Sequence, residues 1–131
     1  MSKTIALIGA LDTKGEEFAF VKAALARRGH QTLVINTGVV GEPAFAPEID
    51  AAQVAAAGGT TLATLRQQAD RGKAIETMAN GAATLVQQLQ ESGQIHGILS
   101  MGGSAGTAVG TAAMRALPVG FPKLMVSTLA S

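Results

Sequence analysis

The stretch TIALIGALDTKGEEFAFVKAALARRGHQTLVIN, residues 4–36, decides the fold. Its first six residues, Thr4 to Gly9, are β-branched or apolar almost without a break, the composition of a strand covered on both faces. From Lys14 to Arg28 the pattern turns helical: Phe18, Val21, Lys22 and Leu25 fall at i, i+3, i+4 and i+7. Asp12 or Thr13 is placed to cap this helix, Arg27 and Arg28 occupy its last turn, and Gly29 follows as its stop. Gln31 to Asn36 then reads as a second strand. Strand, helix, strand in so short a span predicts a right-handed parallel crossover.

The alternation continues outward from that unit. Thr37 to Gly59 carries Gly38, Gly41, Pro43, Pro47, Gly58 and Gly59 and reads as a long loop, interrupted by a short helix from Asp50 to Ala57 with Asp50 as its cap. Loops of this length inside compact domains are usually functional or disordered. Thr60 or Thr61 caps a helix through Gln68. Asp70 opens a longer one, Arg71 to Ser92, with Leu85, Val86 and Leu89 as its apolar stripe and Gly93 as its stop. A third strand spans Gly97 to Met101, a further helix runs from Thr107 to about Ala116, and a turn over Pro118–Pro122 leads to a fourth strand, Lys123 to Thr128. The fold class is α/β: a Rossmann-like three-layer α/β/α domain, doubly wound, with a parallel sheet of about four strands.

Composition narrows the function. With 131 residues the chain makes one domain, residues 1–131, large enough for a single core. A final strand with no following crossover helix fits a small domain closing on an edge strand or the N-terminal part of a longer two-domain protein; the second is expected. Four Phe are the only aromatics and net charge is +1, which argues against stacked single strands and against a DNA-binding patch. The absence of cysteine excludes a disulfide scaffold, a thiolate zinc site and a Cys nucleophile. With only His30 and His96, far apart, no metal site is expected. No leader is evident after Met1 and no apolar run approaches the ~20 residues of a membrane helix, so a cytoplasmic protein without membrane contact is expected.

Polar residues gather where strands end. Ala10 to Lys14 follows the first strand, Asn36 to Gly38 the second, Gly102 to Ser104 the third, and Ser127-Thr128 the fourth. Ligands of open parallel sheets bind at those carboxyl ends, near the point where strand order reverses. The run Gly102-Gly103-Ser104-Ala105-Gly106-Thr107 between strand and helix suits an anion: glycines let the backbone approach, the first helical N–H groups point outward, and Ser104 and Thr107 add hydroxyls. The same small residues also suit close packing of a helix leaving the sheet. Lys14 would pair with a phosphate, and Asp12 would hold a cation or a sugar hydroxyl. Asp70, Arg71, Lys73 and Glu76 read as solvated charges at a helix start, with Asp70 and Glu76 the two able to face the ligand side.

Standard fingerprints are missing. Neither Gly-x-Gly-x-x-Gly after the first strand nor a Walker-type Gly-x-x-x-x-Gly-Lys-Ser/Thr loop occurs. Gly102 to Gly106 matches a Gly-x-Ser-x-Gly elbow by letter. A Ser104 hydrolase would need a histidine beside it, and His30 and His96 both precede strands, at the opposite end of the sheet.

Beyond these local readings, the chain resembles the N-terminal part of the tobamovirus multiplication-inhibitor-like ATP-binding domain proteins, a family of mostly bacterial and fungal members with one plant inhibitor of viral RNA replication. The landmarks are Ile8 to Lys14, Asp70-Arg71-Gly72-Lys73-Ala74, Gly97 to Thr107 and Leu117 to Thr128. The resemblance implies ATP as the ligand, with or without Mg2+, its phosphates on Gly102, Gly103, Ser104, Gly106 and Thr107. It places Asp12, Thr13, Lys14, Thr37, Ser127 and Thr128 around the same cleft. A homo-oligomer, or packing against a second α/β domain, is expected with it. Two other readings stand beside nucleotide binding. One is an enzyme that holds a phosphorylated or carboxylated small molecule at the same loop, with Asp12, Lys14 or Glu76 as acid–base groups. The other is an assembly domain.

Overall fold

A computed structural model describes residues 2–129; Met1, Ala130 and Ser131 lie outside them. Strands β1 (Thr4–Gly9), β2 (Gln31–Asn36), β3 (Gly97–Gly102) and β4 (Lys123–Ser127) form one parallel sheet in the order β2-β1-β3-β4. Helix α1 (Gly15–Arg27) covers one face; α2 (Ala51–Ala57), α3 (Leu62–Gln68), α4 (Arg71–Glu91) and α5 (Ser104–Arg115) lie on the other. This is the doubly wound three-layer architecture expected, and strand order reverses between β1 and β3. Alternation along the strands divides the core. Ala6, Ile8, Ile35 and Ile98 meet Val54, Met78, Val86 and Val109 on the four-helix side. Leu7 and Val34 meet Phe18 on the α1 side.

Helix ends follow local chemistry. Asp50, Thr61 and Asp70 cap α2, α3 and α4 through backbone amides three residues on, and Gln53 completes a capping box with Asp50. Gly29 and Gly93 stop α1 and α4 at positive φ, a conformation that costs glycine little. Three expectations are corrected. The first helix is not capped by Asp12 or Thr13: its cap position is Lys14, with no side-chain hydrogen bond, because the turn closes instead through the Thr13 and Lys14 amides onto the Ala10 carbonyl. The helix expected from Thr107 begins at Ser104, so the stretch read as a loop is the end of β3, a single turn residue and the first helical turn. Strand β4 ends at Ser127, one residue early.

The long segment after β2 is ordered along the sheet. Ile49 bridges Ile35, donating its amide to the Val34 carbonyl and accepting from the Asn36 amide. Beside it, the Glu48 carboxylate accepts the Val34 amide at 2.6 Å. Residues 48–49 thus strap the outer edge of β2.

Candidate functional site

At the reversal point the carboxyl ends of β1 and β3 diverge, and a cleft of about 870 Å³ opens above them. Of the residues expected there, Asp12, Thr13, Lys14, Thr37, Gly102, Gly103, Ser104 and Gly106 line it. The far wall is apolar: Val39 and Val40 from the segment after β2, Leu65 of α3, Ile75 and Met78 of α4, and Val109 of α5. Thr107, Ser127 and Thr128 do not line the cleft. The Thr107 and Ser127 hydroxyls lie 2.6 Å apart and hydrogen-bond each other, tying α5 to β4. The Thr128 amide donates to the Gly102 carbonyl just past the strand.

The start of α5 has the chemistry of an anion site. Gly103, its cap residue, offers no side chain, and the first helical hydrogen bond runs from the Thr107 amide to the Gly103 carbonyl at 2.9 Å. The amides of Ser104, Ala105 and Gly106 have no acceptor within the helix. Acidic residues are absent from this first turn, whereas α1, also uncapped, has Glu16 and Glu17 in its own. Instead, an Arg71 guanidinium nitrogen at the start of α4 donates to the Ser104 hydroxyl at 3.3 Å. A cation at the positive end of a helix dipole is electrostatically unfavourable alone and becomes favourable when an anion lies between them.

The two glycines of the turn have different reasons. A Cβ on Gly102 would fall 2.7 Å from the Gly106 Cα, so the close seat of α5 on β3 requires glycine there. A Cβ on Gly103 would meet only the Thr128 hydroxyl oxygen at 3.7 Å, while its backbone, at φ −88° and ψ −140°, lies outside the extended and helical regions. Side-chain packing does not account for Gly103, whose bare backbone leaves the mouth of the cleft open. The packing reading of the small-residue run therefore holds at Gly102.

Asp12 anchors the opposite wall. One carboxylate oxygen accepts the Gly41 amide at 3.0 Å; the other is buried against Gly38 with no hydrogen-bond partner among the described residues. Arg66 holds the same segment from its other side, donating to the Val39 carbonyl at 2.6 Å. Thr37 is buried and fixed by its amide to the Gly9 carbonyl. Asn36, placed by the sequence at the end of the second strand but not among the site residues, builds this corner: its side-chain oxygen accepts from both the Leu11 and Gly38 amides. Arg71 and Arg66 were also missed as site residues, since 33 residues separate Arg71 from Ser104 and no local pattern marks the contact.

The histidines are engaged elsewhere. Nδ1 of His30 accepts the Lys3 amide and Nδ1 of His96 the Thr4 amide, both at the amino edge of the sheet. Ser104, at the carboxyl edge, has Arg71 for a partner, and both histidines lie at the opposite end of the sheet, where their places in sequence put them. A shallower groove of about 920 Å³ runs along α1 past Lys22, His30 and Glu48, away from the turn after β3.

Residues 3–131 match the N-terminal domain of an uncharacterised protein family, UPF0261. The chain belongs to the UPF0261 family. It is 50% identical over 131 residues to a UPF0261 protein of Clostridium tetani, covering 100% of this chain and 32% of that one. A UPF0261 protein of Brucella suis is 36% identical over 129 residues, 98% of this chain and 31% of the relative. The ToMV resistance protein Tm-1 of Solanum lycopersicum is 35% identical over 87 residues, 66% of this chain and 11% of the plant protein. The chain thus spans about a third of the length of the UPF0261 relatives named here. No helix among the described residues is long and apolar enough to cross a membrane.

Proposed function

We propose that this UPF0261 domain binds the phosphates of an adenine nucleotide, ATP with or without Mg2+, at the start of α5. One observation carries the reading: the uncapped first turn of α5, at the strand-reversal point, faces an arginine in place of an acidic cap. Tetrahedral oxyanions satisfy amides, hydroxyl and guanidinium together, and Arg offers the forked donors that phosphate geometry favours. Lys14, at the uncapped start of α1 on the same cleft, supplies a second cation. The apolar wall from Val39 to Met78 gives a base and sugar a surface to lie on, and the volume accommodates a ligand of that size. Adenine as the base rests on the family resemblance; the phosphate rests on the site.

Isothermal calorimetry with ATP, alone and with Mg2+, tests the proposal on this chain and on the full-length Clostridium tetani relative. Saturable heat that Gly103→Val abolishes is expected. No heat with either protein overturns it, and equal heat with the Gly103→Val variant moves the ligand away from the turn.

A further inference from the structure

Leu99 and Met101 of β3 stand in register with Leu124 and Val126 of β4, and all four side chains share the sheet face on which α1 packs. Over β1 and β2 that face is core, with Leu7 and Val34 fully buried beneath Phe18 of α1. Toward β4 the cover stops. Leu124 is 55% and Val126 51% exposed, whereas Met125, pointing the other way, packs into the four-helix side. Two adjacent strands carrying apolar pairs in register make a contiguous patch, unlike apolar side chains scattered singly on a surface.

Chain geometry explains why nothing described here covers it. Right-handed crossovers put α1 on this face when the chain steps from β1 to β2, and put α2–α5 on the opposite face when it steps the other way, toward β3 and β4. A further strand beyond β4 would send its own crossover helix to the α5 side again. Cover for Leu99, Met101, Leu124 and Val126 from the same chain has to come from polypeptide that returns across the sheet. The UPF0261 relatives hold it in reserve, since the match accounts for about a third of their length.

We propose that this half-face is the seat of an apolar segment from the C-terminal part of the longer UPF0261 chain, closing the core over β3 and β4. The inference is independent of the ligand bound at α5.

Cysteine reactivity tests it: this chain has no native cysteine, and any native cysteine of the Clostridium tetani relative is first replaced by serine. Leu124→Cys and Val126→Cys are made in residues 1–131, and cysteines are placed at the aligned positions of the full-length Clostridium tetani relative. Maleimide labelling of the introduced thiols is compared with the denatured chains, with light scattering alongside. The full-length protein is expected to protect both sites by at least about tenfold at every concentration, whereas residues 1–131 label freely as a monomer. Labelling of the native full-length chain as fast as the denatured one overturns the proposal. Protection that appears only as either protein self-associates also overturns it, and assigns the face to a second copy.

Discussion

The guanidinium of Arg71 reaches from the first turn of α4 to the hydroxyl of Ser104 on the first turn of α5, so that a cation and a helix N-terminus face the same point. Replacing Arg71 with Ala should weaken ATP binding by about 1.5–3 kcal/mol, roughly ten- to a hundredfold in Kd. The ligand-free protein should melt at the same temperature or slightly higher, because the cation opposes the α5 dipole. Calorimetry beside a thermal melt separates the two effects, and loss of stability together with affinity would count against the assignment.

Gly102 and Gly103 should part company on substitution. Gly102→Ala forces the start of α5 off β3 and should cost about 1–3 kcal/mol in chemical denaturation. Gly103→Ala meets no such contact and should cost less than Gly102→Ala in the same measurement. Its effect should appear in nucleotide affinity.

On the other face, Gly9 makes room for Phe18. A Cβ there would run into the Phe18 ring, which is fully buried. Gly9→Ala should lose about 1–3 kcal/mol, and the double variant Gly9→Ala/Phe18→Leu should recover part of that loss. Recovery distinguishes a ring clash from a backbone effect.

Ala69 joins α3 to α4 at φ 51°, ψ 31°, the left-handed region, and is the single non-glycine residue with positive φ among those described. Glycine removes about 1–2 kcal/mol of steric cost and gives back part of it as chain entropy. Ala69→Gly should therefore be neutral to about 1 kcal/mol stabilising, read from the denaturation midpoint.

Asp12 latches the segment after β2. Asp12→Ala removes the acceptor of the Gly41 amide, and that amide should exchange with solvent at least about tenfold faster. Amides of β1 should hold their protection, since Asp12 lies outside the strand.

Much of this was legible in the sequence because its signals are local. Asp50, Thr61 and Asp70 announce α2, α3 and α4, because a capping side chain acts within three residues. Continuous apolar runs mark β1, β2 and β3, since a strand buried on both faces cannot alternate. The start of α5 escaped because Gly103 carries no capping group and Ser104, Ala105 and Gly106 have no periodicity to read. Partners of the polar residues were less visible. Thr107 and Ser127 look like ligand donors in sequence, yet tertiary packing sets them against each other. Asp12 looks like a cap and serves instead as the acceptor for Gly41, 29 residues away. Arg71 over Ser104 exists only because α4 and α5 lie side by side.

The strap along β2 has a consequence for how this sheet can grow. With both outward groups of Val34 and the outward amide of Asn36 taken by Glu48 and Ile49, no incoming strand can pair there without first displacing them. The sheet is one-ended: any strand that lengthens it, from the same polypeptide or a neighbouring molecule, joins beyond β4. Growth from that side alone ends at the next molecule's sealed edge. Glu48→Ala would free the Val34 amide alone and loosen the seal, leaving the two backbone bonds of Ile49 in place.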